Sequence, residues 1–295
     1  MSEQKFGGVW TIKKLDAVEN YLKAYTIALK KQKFHLIYID AFAGSGTFSM
    51  NELSEEPSQI DLFENNEIKN NNKIFDGSAI RALKYPFNKF KFFETNKEYC
   101  NNLEQKIKEN YWNIDYSIIN EDCNSLLMKI NSYNWLKNNY RGVIFIDPYD
   151  MGFSWECLEE IGKTQIFDVW YLFPFGAMNR NVYRKSSDIP KTNKIKVTQI
   201  LGTDDWINKL YNQSFQLNIL GEDETEKVTV QEVKQYVIKR FKTIFPTVSE
   251  EAVLLRNKNN APMFLLCFMG SNPNPKAKKT ALDIADYILK NMERV

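Results

Sequence analysis

Asp40-Ala-Phe-Ala-Gly-Ser-Gly46 is the stretch on which the reading of this 295-residue chain turns. It follows Phe34-His-Leu-Ile-Tyr-Ile39, an apolar, β-favouring run with the length of a buried strand. An acidic residue at a strand's end, then two glycines two apart, lets the main chain pass closer to a ligand than any side chain would permit. Glycine-rich strand ends of this kind hold nucleotide-like ligands in open α/β sheets. The spelling D-x-F-x-G-x-G differs from the dinucleotide fingerprint G-x-G-x-x-G. That fingerprint keeps a third glycine for helix packing, and position 49 here is a serine.

Outward from this turn the chain alternates strand and helix patterns. Leu15, Val18, Leu22, Tyr25 and Leu29 recur at helical spacing ahead of it, with lysines on the other face. Behind it, Asn51 to Asp76 is polar and Asn/Glu-rich and reads as a mobile loop. A short helix is expected from Gly77 to Leu83 and a longer one from Lys97 to Asn110. Strands are expected at Phe90–Phe93, Tyr116–Ile119, Gly142–Ile146 and Phe167–Phe173. Strands separated by helices imply right-handed crossovers and a parallel sheet covered on both faces. The expected fold is therefore a Rossmann-like three-layer α/β sandwich with a mostly parallel, seven-stranded sheet. Its parts are an N-terminal helical segment (1–33), a core (34–180), a mostly helical insertion or lid (181–250), and last strands with a C-terminal helix (251–295) that complete the core.

Composition narrows the function classes. Hydrophobic residues at 43% exclude global disorder. The net charge of +2, from 39 basic and 37 acidic residues, neither requires nor forbids a nucleic-acid partner. Cys100, Cys123, Cys157 and Cys267 are scattered without a C-x-x-C pair. No zinc site or disulfide framework is indicated, no metal is expected, and a reducing cytoplasm is the expected compartment. No apolar span suits a bilayer, and no signal-peptide core is present. The one histidine, His35, reads as a partly buried structural residue, which disfavours mechanisms built on a histidine base.

Asp40, Glu94, Asp122 and Asp147 each stand at or just past a strand's carboxyl end, where ligands of open α/β sheets bind. Singly, each has the bland reading of a helix cap or solvated turn. Together with D-x-F-x-G-x-G they resemble the class I methyltransferases that use S-adenosyl-L-methionine, especially those acting on nucleic-acid amines. The resemblance implies that Glu94 accepts the ribose hydroxyls, and that Asp122 with the Cys123 amide faces the adenine. Phe42, Ala43, Gly44 and Gly46 would accommodate the methionine portion, and Asp40 its ammonium group, directly or through water. Asp147-Pro148-Tyr149 is similar to the D/N-P-P-Y/F motif of amine methyltransferases, with one proline in place of two. That likeness makes Asp147, Pro148 and Tyr149 the catalytic element. The acidic group and following carbonyl would accept from the target amine, and Tyr149 would stack on a flipped base. The bland alternative is an Asp cap and a packed Tyr.

Over most of its length the chain also resembles the three-Cys-motif partner protein family. The shared features include Lys14-Leu15, Tyr21-Leu-Lys-Ala-Tyr25, Asp40 to Gly46, Gly77-Ser78, Phe93-Glu94, Asp122-Cys-Asn124, Phe145-Ile-Asp-Pro-Tyr149, Trp155, Asp168-Val-Trp170 and Asn179-Arg180. Asp150 and Ala79 stand where that family usually has Gly and Pro. This resemblance implies a methyltransferase-like core and a three-cysteine, radical-SAM-like partner protein. The missing second proline and the turn at Asp150 support an alternative to turnover, a catalytically silent binding subunit of that partner. Arg180, after the fifth strand, is a candidate for a substrate phosphate or carboxylate, with a surface ion pair as the competing reading. Arg184-Lys185, Lys191 to Lys196 and Lys276-Lys278-Lys279 would extend a nucleic-acid face with Tyr183 for stacking, or are simply solvated.

Overall fold

The computed structural model describes residues 4–5, 9–51, 72–183, 185–217 and 223–293. The first elements are β1 (Gln4–Lys5), α1 (Val9–Leu29), β2 (His35–Asp40), β3 (Thr47–Asn51), β4 (Asn72–Asp76) and α2 (Ser78–Ala82). Then come β5 (Lys89–Phe93), α3 (Lys97–Asn110), β6 (Tyr116–Ile119), α4 (Cys123–Leu127), β7 (Tyr140–Ile146), α5 (Trp155–Lys163), β8 (Phe167–Phe173) and α6 (Phe175–Asn181). The last part carries α7 (Lys191–Leu201), α8 (Trp206–Lys209), β9 (Tyr211–Leu217), β10 (Asp223–Lys227) and α9 (Val230–Phe241). It ends with β11 (Thr247–Val248), β12 (Val253–Arg256), β13 (Pro262–Gly270) and α10 (Pro275–Glu293).

The main sheet runs β6-β5-β2-β7-β8-β13. The first five strands are parallel, and β13 runs antiparallel to β8 with Leu265 opposite Phe173 and Gly270 opposite Asp168. In chain order the parallel strands lie 3-2-1-4-5, the doubly wound arrangement, with its switch point between β2 and β7. This is the Rossmann-like, class I methyltransferase type of sandwich. Two short strands, β11 and β12, share the outer edge of β13 end to end, so eight strands fill the seven expected places.

Period-2 alternation sorts the strand side chains into two cores. Tyr38, Phe90, Phe92, Val143, Phe145, Trp170 and Phe268 face α1, α2, α3 and α10. Ile39, Ile144, Ile146, Val169, Tyr171, Phe173 and Cys267 face α5, α6, α7 and α9. Every residue of β8 is buried, as a central strand covered on both sides requires. Local signals set several helix starts. The Asn96 side chain accepts from the amides of Glu98 and Tyr99, Ser154 accepts from Cys157, and Thr229 with Glu232 forms a capping box.

Two parts differ from the sequence reading. The segment read as a loop from Asn51 to Asp76 begins and ends as strand: β3 and β4 pair antiparallel, Thr47 opposite Asp76 and Asn51 opposite Asn72. Residues 52–71, the body of that expected mobile loop, lie outside the described residues. The region 181–250 carries α7, α8 and α9 but also the antiparallel pair β9–β10. His35 is exposed rather than partly buried, its ring 5.5 Å from that of Tyr140.

Candidate active site at the sheet's switch point

The turn after β2 is built for close approach. Gly44 and Gly46 both have positive φ, +62° and +85°. At Gly46 a Cβ would stand 2.9 Å from Leu103 Cδ1 and 3.1 Å from Ile80, so packing as well as φ calls for glycine. The turn packs against Leu103 of α3 and Ile80 of α2, and β3 and β4 lie between the turn and α2 in the chain. That pair returns the chain to its starting point, where Gly77 N donates to Gly46 O at 2.7 Å. Lys106 of α3 pins the near side, donating to Ser45 O at 3.0 Å and to Thr47 Oγ1 at 2.6 Å.

Asp40 lies beneath this turn with no exposed surface. Its Oδ1 accepts from Phe42 N at 3.2 Å and its Oδ2 from the Tyr38 hydroxyl at 3.3 Å. Burial pushes its carboxyl up to about 7, against hydrogen bonds from Ser78, Phe42 and Tyr38; the Asp147 charge adds to the rise. Asp40 thus braces the turn from below. Glu94, at the end of β5, is 7% exposed; its Oε2 accepts from Gly44 N at 3.0 Å and its Oε1 from Asn96 N at 2.7 Å. The carboxylate is therefore held against the glycine turn. Asp122 is exposed and caps α4, accepting from Asn124 N at 2.9 Å. Cys123 follows it buried, and burial, then the Asp122 charge, pushes its thiol well up.

A cavity of about 290 Å³ opens beside the turn. Phe42, Ala43, Gly44 and Gly46 form one wall, Asp147, Pro148 and Tyr149 another. Both walls hang from adjacent strands, since Asp40 of β2 pairs with Phe145 of β7. Tyr149 is 60% exposed at the rim. Asp40, Glu94, Asp122, Cys123 and Arg180 do not line this cavity, and Asp40, sealed beneath the turn, has no surface to offer an ammonium group directly. Arg180 is exposed in the last turn of α6.

The sequence reading did not assign α1 and β13 to the site. Trp10, Thr11 and Lys14 of α1 and Met263 and Phe264 of β13 also line the cavity, with Thr47 and Phe48 of β3 and Ser78 of α2. Lys14 Nζ donates to Asp147 Oδ2 at 2.5 Å, its side chain 8% exposed, and lies 5.1 Å from the centre of the Trp10 ring. Thr11 Oγ1 is buried without a hydrogen-bond partner among the described residues. The signal available in the sequence was Lys14, a lysine directly before the apolar stripe of α1 and therefore at its margin. Among the described residues no group of three or more His, Cys, Asp or Glu could hold a metal ion. All four cysteines are free and buried, and among the described residues no helix is long and apolar enough to cross a membrane.

No family model and no curated protein matches the chain. Solved structures similar to it include protein LPL1258 of Legionella pneumophila, 14% identical over 91% of this chain and 90% of that one, with a TM-score of 0.46. Another is the complex of Trm1 from Pyrococcus horikoshii with S-adenosyl-L-methionine, 12% identical over 93% of this chain and 59% of that one, with a TM-score of 0.36.

Proposed function

We propose that the chain is an S-adenosyl-L-methionine-dependent methyltransferase whose acceptor is a nitrogen of nucleic acid. One observation carries the reading: the glycine turn and Asp147-Pro148-Tyr149 meet in a single cavity at the switch point of the sheet. The residues suit that cofactor. Gly44 and Gly46 leave the main chain open to it, Thr11 offers an unsatisfied hydroxyl, and the Glu94 carboxylate keeps acceptor capacity beyond its two amide bonds. Asp122 and the Cys123 amide would complete the far side. Bound there, the cofactor supplies a methyl group activated by the sulfonium.

The chain's own work is selection and positioning. Lys14 and Asp147 place a donor beside an acceptor, 2.5 Å apart. An exocyclic amine next to a ring acceptor, as on adenine with its N6 amino group and N7, presents the complementary pair. Asp147 then accepts from the amine while Lys14 donates to the ring atom. Tyr149, exposed at the rim, would stack on the base. Exposed Arg180, Lys185, Lys191 and Lys196 supply charge for the phosphates. The test is calorimetry with adenosylhomocysteine, followed by transfer of labelled methyl from the cofactor to RNA and DNA pools. Binding with transfer to nucleic acid is the expected result; absence of binding removes the premise.

The closeness of Lys14 to Asp147 also favours a second reading, since the pair occupies the carboxylate. In that reading the chain is a catalytically silent binding subunit of a three-cysteine, radical-SAM-like partner. Cofactor binding without transfer to any pool, with co-purification of such a partner, would select it.

A further inference from the structure

A second cavity, of about 410 Å³, opens at the opposite, amino-terminal edge of the sheet. Tyr21 and Tyr25 of α1, Phe34, Arg141 of β7, Asp168 of β8 and Lys276 of α10 are among its walls. The methyl-transfer site makes no use of it. Tyr21 lies seven residues along α1 from Lys14, about 10 Å down the helix axis.

Asp168 is out of place by composition, because every other residue of β8 is aromatic or aliphatic. It is 9% exposed, and the one side chain that donates to it among the described residues is Tyr21, whose hydroxyl lies 2.7 Å from Oδ2. Gly270, across the strand pair, leaves it room: a Cβ there would stand 3.1 Å from Asp168 Oδ1. Arg141 lines the same cavity but forms no ion pair with Asp168 among the described residues. Its guanidinium instead lies 4.5 Å from the Phe34 ring centre and donates to Tyr140 O at 2.7 Å. Two opposite charges thus face one half-enclosed space without touching. Among the described residues each has a single hydrogen-bonded partner, fewer than a charge withdrawn from water requires. A ligand bearing both charges would meet both needs at once, and a lone cation or anion would meet only one.

We propose that this cavity binds a free α-amino acid, with its ammonium group toward Asp168 and Tyr21 and its carboxylate toward Arg141 and Lys276. The aromatic rings of Tyr21, Tyr25 and Phe34 and the aliphatic flank of α10 form the walls around it. The volume falls within the range of small-molecule pockets and is ample for an amino acid. Burial pushes the Asp168 carboxyl up to about 7, and an arriving ammonium would hold it ionised.

The test is calorimetry on the full chain with each of the twenty standard L-amino acids, and with ethylamine and acetate as single-charge probes. At least one amino acid should bind, with ethylamine and acetate about tenfold weaker or worse. Asp168→Asn and the exposed Lys276→Glu should each weaken that binding by about tenfold, with adenosylhomocysteine affinity unchanged. Lys276→Glu keeps the test decisive should Asp168→Asn fail to fold. No binding of any amino acid at about 10 mM would overturn the proposal. So would binding that survives Lys276→Glu, that acetate matches, or that adenosylhomocysteine displaces.

Discussion

Asp40→Asn should change how stability depends on pH. In the folded chain burial raises the Asp40 carboxyl to about 7 from an ordinary value of 3.8. The native state therefore holds a proton that the unfolded state has already released. Stability from this group is fully present below the unfolded value and is lost as pH rises through the folded one. At 1.36 kcal/mol per decade, the whole window spans about 4 kcal/mol. Between pH 5 and pH 8 the share lost is about 3 kcal/mol. Asparagine removes the titration while keeping an acceptor for Phe42 N, and the Tyr38 and Ser78 hydroxyls can turn to accept from its amide. Asp168, also raised to about 7, titrates in both proteins and cancels in the difference. Urea unfolding of parent and variant across this range measures that difference directly. The parent's advantage over the variant should shrink as pH rises. A difference that is flat with pH would refute the account of Asp40 as a buried, half-protonated brace of the glycine turn.

Three other substitutions probe the site. Gly46→Ala puts a Cβ at φ +85° and 2.9 Å from Leu103 Cδ1. It should lower unfolding free energy by about 1–2 kcal/mol and weaken adenosylhomocysteine binding, both read by denaturation and calorimetry. Lys14→Met strips Asp147 of its partner, so methyl transfer should fall tenfold or more, equivalent to about 1.4 kcal/mol, in a single-turnover assay. An unchanged rate would remove Lys14 from base recognition. Tyr149→Ala, at an exposed rim position, should leave stability within about 0.5 kcal/mol while costing about 1–3 kcal/mol of nucleic-acid affinity, read by melting and filter binding. Equal losses in both would mark Tyr149 as structural.

The strands and the glycine turn were legible because their signals are local. Runs such as Phe167–Phe173 carry their burial in composition, and Asp40 to Gly46 carries its φ requirement in its glycines. Their alternation with helices, through crossover handedness, reached the fold class, while the strand order 3-2-1-4-5 was decided by the tertiary structure. Tertiary structure alone settled what faces what. Lys14 meets Asp147 across 133 positions, and no periodicity in α1 announces a partner on another element. Asp40 and Glu94 read alike as strand-end carboxylates. Yet one is sealed beneath the turn while the other holds the Gly44 amide, because neighbouring elements decide how much water each retains. The β3–β4 pair escaped notice because β4 closes an Asn-rich, low-apolar segment and β3 stands just ahead of it, and its cross-strand bonds are main-chain and leave little trace in side-chain pattern. Chemistry written in contiguous residues could be read along the chain; chemistry assembled from distant ones needed the fold to bring the charges together.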